Sequence, residues 1–116
     1  MARSKYGVAK KEDRTRYGVT YDSKLEMQYR VHLEHLERAT NLKDRVVEIQ
    51  EQVPYVFYIE LKKIFTYKLD FLVTYGDGRK EYVDVKGVKT AVYRIKKKCI
   101  EAFYDIEIKE VFASKF

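Results

Sequence analysis

Asp84 and Lys86 stand two residues apart in the stretch YVDVKG, residues 82–87, an acid and a base set among valines. Side chains alternate along a strand, so these two share a face while Val83 and Val85 share the other. A second β-prone run, Leu69 to Tyr75, comes just before, and Gly76, Asp77 and Gly78 between the runs are a strong hairpin signal. With the turn centred on Asp77, Tyr75 faces Arg79 and Asp70 falls opposite Asp84. Lys68, Asp70, Asp84 and Lys86 then line one face, and Leu69, Phe71, Val73, Val83 and Val85 the other. Carboxylates directly across a ladder have Cβ atoms about 5 Å apart, where like charges destabilise the pair. A divalent cation relieves this: Mg²⁺ takes hard oxygen ligands, commonly one or two carboxylates plus waters and phosphate oxygens. Lys86, roughly 7 Å along the strand from Asp84, reaches a water or phosphate at that ion. The alternative is a solvated hairpin face, and a two-residue loop or a bulge would undo the register.

The elements that must carry these residues follow from periodicity. From Asp22 to about Thr40, Leu25, Tyr29, Leu33 and Leu36 recur at spacings of three and four, which predicts an amphipathic helix. A strand is expected around Arg45 to Gln50, and Pro54 interrupts before a further β-prone run, Tyr55 to Ile59. The hairpin of Leu69 to Tyr75 and Arg79 to Lys86 comes next. A second helix is expected over Thr90 to Phe103, with Ala91, Ile95, Cys99, Ala102 and Phe103 on one face, and Ile106 to Val111 alternates as a last strand. The expected class is α/β (α+β), in the order α-β-β-β-α-β.

A chain of 116 residues has room for one modest core, and 46% hydrophobic and 15% aromatic residues describe a folding chain. Residues 1–18, basic and without hydrophobic periodicity, are expected to be a flexible arm, either functional or a solubilising tail, with the domain over 19–116. The net charge of +6 favours an anionic partner such as nucleic acid or an acidic membrane surface. The single cysteine, Cys99, excludes an internal disulfide and is expected to be a small core residue. No apolar run reaches the length of a membrane span and no signal-type stretch opens the chain, so a cytoplasmic protein is expected.

Asp70 in LDFLV, Asp84 and Lys86 in VDVKG, and Glu26 in SKLE resemble the PD-(D/E)xK nuclease superfamily, in which acids and a lysine around a hairpin follow an acid on a preceding helix. From YGVTYDSKLE through VKGVKTAVYRIKKK, about residues 17–111, the chain also looks like small phage-encoded proteins assigned to that superfamily. Leu69 departs from the pattern where a proline often precedes the first acid, and Asp84 stands where Glu is also common; neither removes a ligand. The resemblance implies a restriction-endonuclease-like core, a mixed central sheet flanked by helices. It also implies Mg²⁺, with Mn²⁺ as the substitute, on Asp70, Asp84, Glu26 and the Val85 carbonyl, and Lys86 positioning or deprotonating the attacking water. Ser23 to Glu26 alone reads equally as an S-x-x-E capping box.

The implied activity is a metal-dependent DNA endonuclease, with branched or Holliday-junction DNA as the expected substrate and a homodimer to make two cuts. Lys89, Arg94, Lys97 and Lys98 on the second helix, with Arg14 and Arg16 in the arm, are the expected phosphate contacts; a lysine-rich solvated helix face is the plainer alternative. A nicking or restriction-type duplex nuclease and a non-catalytic DNA-binding accessory protein are the rival functions. His32 and His35 have ligand-like spacing but no third ligand, so packing or exposure is expected of them.

Overall fold

The computed structural model describes residues 9–86, 88–112 and 116. Lys11–Arg14 forms a short 3₁₀ helix, and β1 (Thr15–Arg16) and β2 (Val19–Thr20) pair antiparallel. Tyr17 (φ 49°) and Gly18 (φ 78°) make the turn between them, the two left-handed residues that a tight hairpin loop requires. Regular structure therefore replaces the expected flexible arm from Lys11 onward, because its arginines find internal partners. The arm's residues 1–8 lie outside those described.

Helix α1 (Lys24–Leu36) starts at Ser23, whose Oγ accepts the Glu26 N–H at 3.0 Å. Tyr29 and Leu33 are buried, and Leu25 and Leu36 pack at the margin of the same cluster, as their spacing predicts. Next come two long strands, β3 (Val46–Ile59) and β4 (Lys62–Tyr75), joined through Glu60 and Leu61. Pro54 does not break β3. It sits on the edge strand of the sheet, where a missing N–H costs little, so the two runs expected on either side of it are one strand.

β5 (Lys80–Val85) pairs with β4 from Thr74↔Lys80 to Phe71↔Val83, the register expected from a turn centred on Asp77. The Gly78 N–H donates to Tyr75 O at 2.9 Å, and Gly78 takes the left-handed conformation at φ 89°. Helix α2 (Ala91–Tyr104) then crosses over to β6 (Ile108–Val111), which runs parallel to β5. The sheet order is β3-β4-β5-β6, a mixed sheet with two helices, as expected at the level of class and element order. Among the described residues no helix is long and apolar enough to cross a membrane.

Two expectations about faces are corrected. The hairpin does not have one apolar and one charged face, because both faces are covered. Phe71, Val73, Val83 and Val85 pack with α1, whereas Leu72 packs with Tyr67, Leu69 and Ile100 of α2. Leu69 thus parts from Phe71 and Val73. The alternation breaks at Asp70, opposite Gln52, whose left-handed φ of 52° interrupts the ladder between Glu51↔Phe71 and Val53↔Leu69. On α2 the buried residue is Ile100, and the face marked by Ala91, Ile95, Ala102 and Phe103 is exposed, with Cys99 half-buried. Aromatics from β3 and β4 pack beside Ile100 and Tyr93, and this draws the other side of the helix inward.

Gly76 tests how the hairpin is anchored. Its N–H donates to Arg45 O at 2.7 Å, and a Cβ there would stand 2.7 Å from Leu42 O. Gly76→Ala should cost about 1–3 kcal/mol in urea unfolding, because the backbone carbonyl must give way. A variant as stable as the parent would show the Leu42 loop to be freely adjustable.

Candidate metal-dependent active site

Beyond the Phe71↔Val83 pair the ladder is completed by side chains. Asp70 Oδ2 accepts the Val85 N–H at 2.8 Å, and Asp84 Oδ1 accepts the Asp70 N–H at 3.2 Å. Each carboxylate has one oxygen tied to the facing strand, which fixes its rotamer. The remaining oxygens differ. Asp70 Oδ1 is approached by Gln52 Nε2 at 3.4 Å, while Asp84 Oδ2 is buried without a hydrogen-bond partner. The nearby Tyr93 hydroxyl does not fill that gap, because it donates to Glu110 Oε2 at 2.8 Å.

Glu26 joins the pair through Gln52, whose Nε2 donates to Glu26 Oε1 at 2.9 Å. Only half of a capping box forms at Ser23: the backbone half is made, and the Glu26 side chain is bonded to Gln52. All three acids are withdrawn from solvent, Glu26 at 3%, Asp70 at 7% and Asp84 at 0% exposure. Burial raises the pKa of each. It pushes Glu26 up to about 8, with the charge of Asp70 adding to the effect. In Asp70 and Asp84 the rise due to burial is opposed by Lys86 and by the facing backbone N–H groups.

Lys86 is held at its N–H, which donates to Val111 O at 2.9 Å, and its ammonium lies over the Tyr93 ring, 4.5 Å from the centroid. The structure places Glu26, Asp70, Asp84 and Lys86 near one another, with Val85 entering through its N–H. The sequence reading missed Gln52. Gln52 lies between the two expected strands, and nothing in a polar residue there signals that it will bridge two acids.

The residues expected to bind phosphate fare unevenly. Arg94 and Lys98 are exposed. Lys89 pairs with Glu110 at 3.2 Å and lies over Phe112, and Lys97 pairs with Glu101 and Glu110 at 3.6 and 3.9 Å. Arg16 bonds Glu34 at 2.9 Å, and Arg14 donates to the carbonyls of Ala9 and Tyr21. These four are engaged within the chain, through acids and carbonyls that only the fold brings near. The partly exposed ion pairs among these are weak. His32 packs between Tyr29 and Phe116, with centroids 5.7 and 5.0 Å away, and burial lowers its pKa, in keeping with a packing role.

Among the described residues no three His, Cys, Asp or Glu side chains form a ready-made chelating group. The fit to a cation rests on less: two oriented hard-oxygen donors and an uncompensated buried oxygen, Asp84 Oδ2. That is what Mg²⁺ uses, since it keeps most of its waters and takes one or two carboxylates. Clefts open on both sides, one of about 300 Å³ beside Glu26 and Gln52 and one of about 280 Å³ beside Lys86, and Lys68 lines both.

No curated protein and no solved structure matches the chain. A family model does match over residues 3–115, nearly the whole length, and the chain belongs to that family, described as protein of unknown function (DUF1064).

Proposed function

We propose that the protein is a Mg²⁺-dependent DNA endonuclease with a restriction-endonuclease-like core, acting on branched DNA as a homodimer. The observation that carries this is the facing pair Asp70 and Asp84, buried and mutually oriented, with Lys86 two residues on and Glu26 linked through Gln52. Two buried carboxylates are costly unless something uses them. Asp70 Oδ1 and Asp84 Oδ2 would hold the cation, joined by the Val85 carbonyl and by Glu26, directly or through water. Held there, Mg²⁺ would lower the pKa of a water beside Asp70 and Asp84 and would neutralise charge on the phosphate.

The chain's own groups do the rest. Backbone N–H groups of Asp70 and Val85 keep both carboxylates aimed across the hairpin. Gln52 keeps Glu26 beside Asp70. Lys86 donates to the attacking water or to a non-bridging phosphate oxygen, and stacking on Tyr93 limits its wandering. Exposed Arg94 and Lys98 make sequence-independent contacts with the strand. The exposed apolar residues of α2, Ile95 at 63% exposure among them, favour a second copy.

Incubation with four-way junction, duplex and single-stranded DNA, with Mg²⁺ or Mn²⁺ and with chelator, tests this directly. Junction cleavage that requires the metal is expected. Cleavage of duplex alone would make the protein a nicking or restriction-type enzyme, and binding without cleavage of any substrate would make it an accessory protein. A strictly monomeric species in sedimentation would remove the junction-resolving role.

A further inference from the structure

The cleft beside Lys86 has a composition that the metal chemistry does not require. Lys68 from β4, Lys86 after β5 and Lys96 from α2 converge on it, together with Thr90 and Val92 at the start of α2 and the ring of Tyr67. None of these three lysines takes part in an ion pair within the described residues, in contrast to the neighbouring Lys89 and Lys97. Two of the ammonium groups are steered by aromatic rings, Lys86 over Tyr93 at 4.5 Å and Lys96 over Phe65 at 5.4 Å.

Two further features supply hydrogen-bond donors without acceptors. Tyr67 is buried, 5% exposed, and its hydroxyl has no partner although the residue lines the cleft. A buried hydroxyl left unmatched costs free energy unless a ligand completes it. The first turn of α2 has no acidic residue, and Thr90 Oγ1 caps only the Tyr93 N–H, at 3.1 Å. The N–H groups of Ala91 and Val92 have no intrahelical acceptor, and the positive end of the helix dipole lies at the cleft.

We infer that this cleft is a phosphate subsite: Lys68, Lys96, the Tyr67 hydroxyl and the start of α2 bind one backbone phosphate of the nucleic acid strand, adjacent to the phosphate addressed by Lys86. The identity of the ligand as a strand phosphate rests on the nuclease reading. The preference for an oxyanion rests on the cleft alone. The subsite fixes the register of the strand over Asp70 and Asp84, so Lys68 and Lys96 are positioning residues.

Binding of labelled duplex and junction DNA, followed by fluorescence anisotropy in chelator, separates this inference from the nuclease reading because no cleavage is involved. The variants are Lys68→Gln, Lys96→Gln and Tyr67→Phe, with Lys63→Gln, an exposed lysine near the hairpin tip, as control. Lys68→Gln and Lys96→Gln are each expected to weaken binding about tenfold and to reduce the slope of log K against log salt, and the double variant to reduce it by about 0.9, the value of the one phosphate they share. Tyr67→Phe should weaken binding with the slope unchanged, and Lys63→Gln should leave both unchanged. A single neutral methylphosphonate linkage, walked along the strand, should weaken the parent at one position and have no further effect there in the Lys68→Gln/Lys96→Gln double variant. Parental slopes in both lysine variants, or a methylphosphonate effect that persists in the double variant, would overturn the subsite. Metal-dependent cleavage with parental slopes would sink the subsite alone; altered slopes without cleavage of any substrate would sink only the nuclease.

Discussion

Asp84→Asn should reduce cleavage by ~10³-fold or more, leave DNA affinity within about threefold, and make the metal-free protein more stable. Asp84 is fully buried; one oxygen is bonded to the Asp70 N–H and the other has no partner. Asparagine keeps an oxygen for that N–H and removes a charge that faces Asp70 across the ladder. The proposed DNA contacts do not involve this carboxylate, since they are assigned to basic side chains, the Tyr67 hydroxyl and the start of α2. A gain on the order of 1–2 kcal/mol is expected in urea unfolding with chelator present. The pairing of lost turnover with gained stability distinguishes a functional carboxylate from a structural one. A variant that cleaves normally with Mg²⁺, or one that is destabilised in chelator, contradicts the assignment.

The second large effect is in the pH dependence of stability. Burial raises Glu26 from 4.5 to about 8, and Asp70 and Asp84 move in the same direction. When the folded-state pKa lies above the unfolded one, the folded protein binds the extra proton. The contribution to stability is then full below the unfolded value, about 4.5, and is lost as pH rises through the folded value, about 8. Metal-free protein should therefore lose stability between about pH 5 and pH 8, by an amount on the order of a few kcal/mol. Glu34 and Glu110, held below their ordinary values, act the other way, but only as pH falls through the carboxylate range. In the interval from about 5 to 8 the loss comes chiefly from Glu26; His32, whose pKa burial lowers from 6.5, acts the other way there and partly offsets it. Millimolar Mg²⁺ should stabilise more at pH 8 than at pH 6, because the cation replaces protons. Glu26→Gln should flatten the metal-free profile. Urea midpoints across this range, with and without Mg²⁺, check both statements, and a flat profile for the parent would show that the acids are solvated.

The site was more legible in the sequence than the surfaces around it. Gly76-Asp77-Gly78 fixes its own loop, so the register that sets Asp70 against Asp84 followed from local turn chemistry alone. Helix α1 was equally plain, since Tyr29 and Leu33 fall on one stripe. Pro54 misled because its cost depends on whether the strand is at an edge, and edge position is a tertiary fact. The buried side of α2 misled for a related reason: Ala91, Ile95, Cys99, Ala102 and Phe103 make a good apolar face, yet the aromatics of the long β3–β4 hairpin centre on Ile100 and Tyr93 and meet that face at Phe103, through Phe57. The left-handed conformation of Gln52, on which the Glu26 linkage depends, belongs to the interruption of the β3–β4 ladder opposite Asp70, which is a pairing fact and not a local one. The engagement of Lys89, Lys97, Arg14 and Arg16 likewise depends on acids and carbonyls assembled by the fold.

Everything proposed for catalysis requires one divalent cation per chain, held by Asp70 and Asp84. Electron paramagnetic resonance of Mn²⁺ titrated into DNA-free protein at pH 8 measures this without any substrate. One bound ion per chain is expected for the parent, displaced by excess Mg²⁺, and none in the Asp70→Asn and Asp84→Asn variants. An Mn²⁺ spectrum that stays that of the free ion with the parent protein, or binding that survives in both variants, would contradict the account.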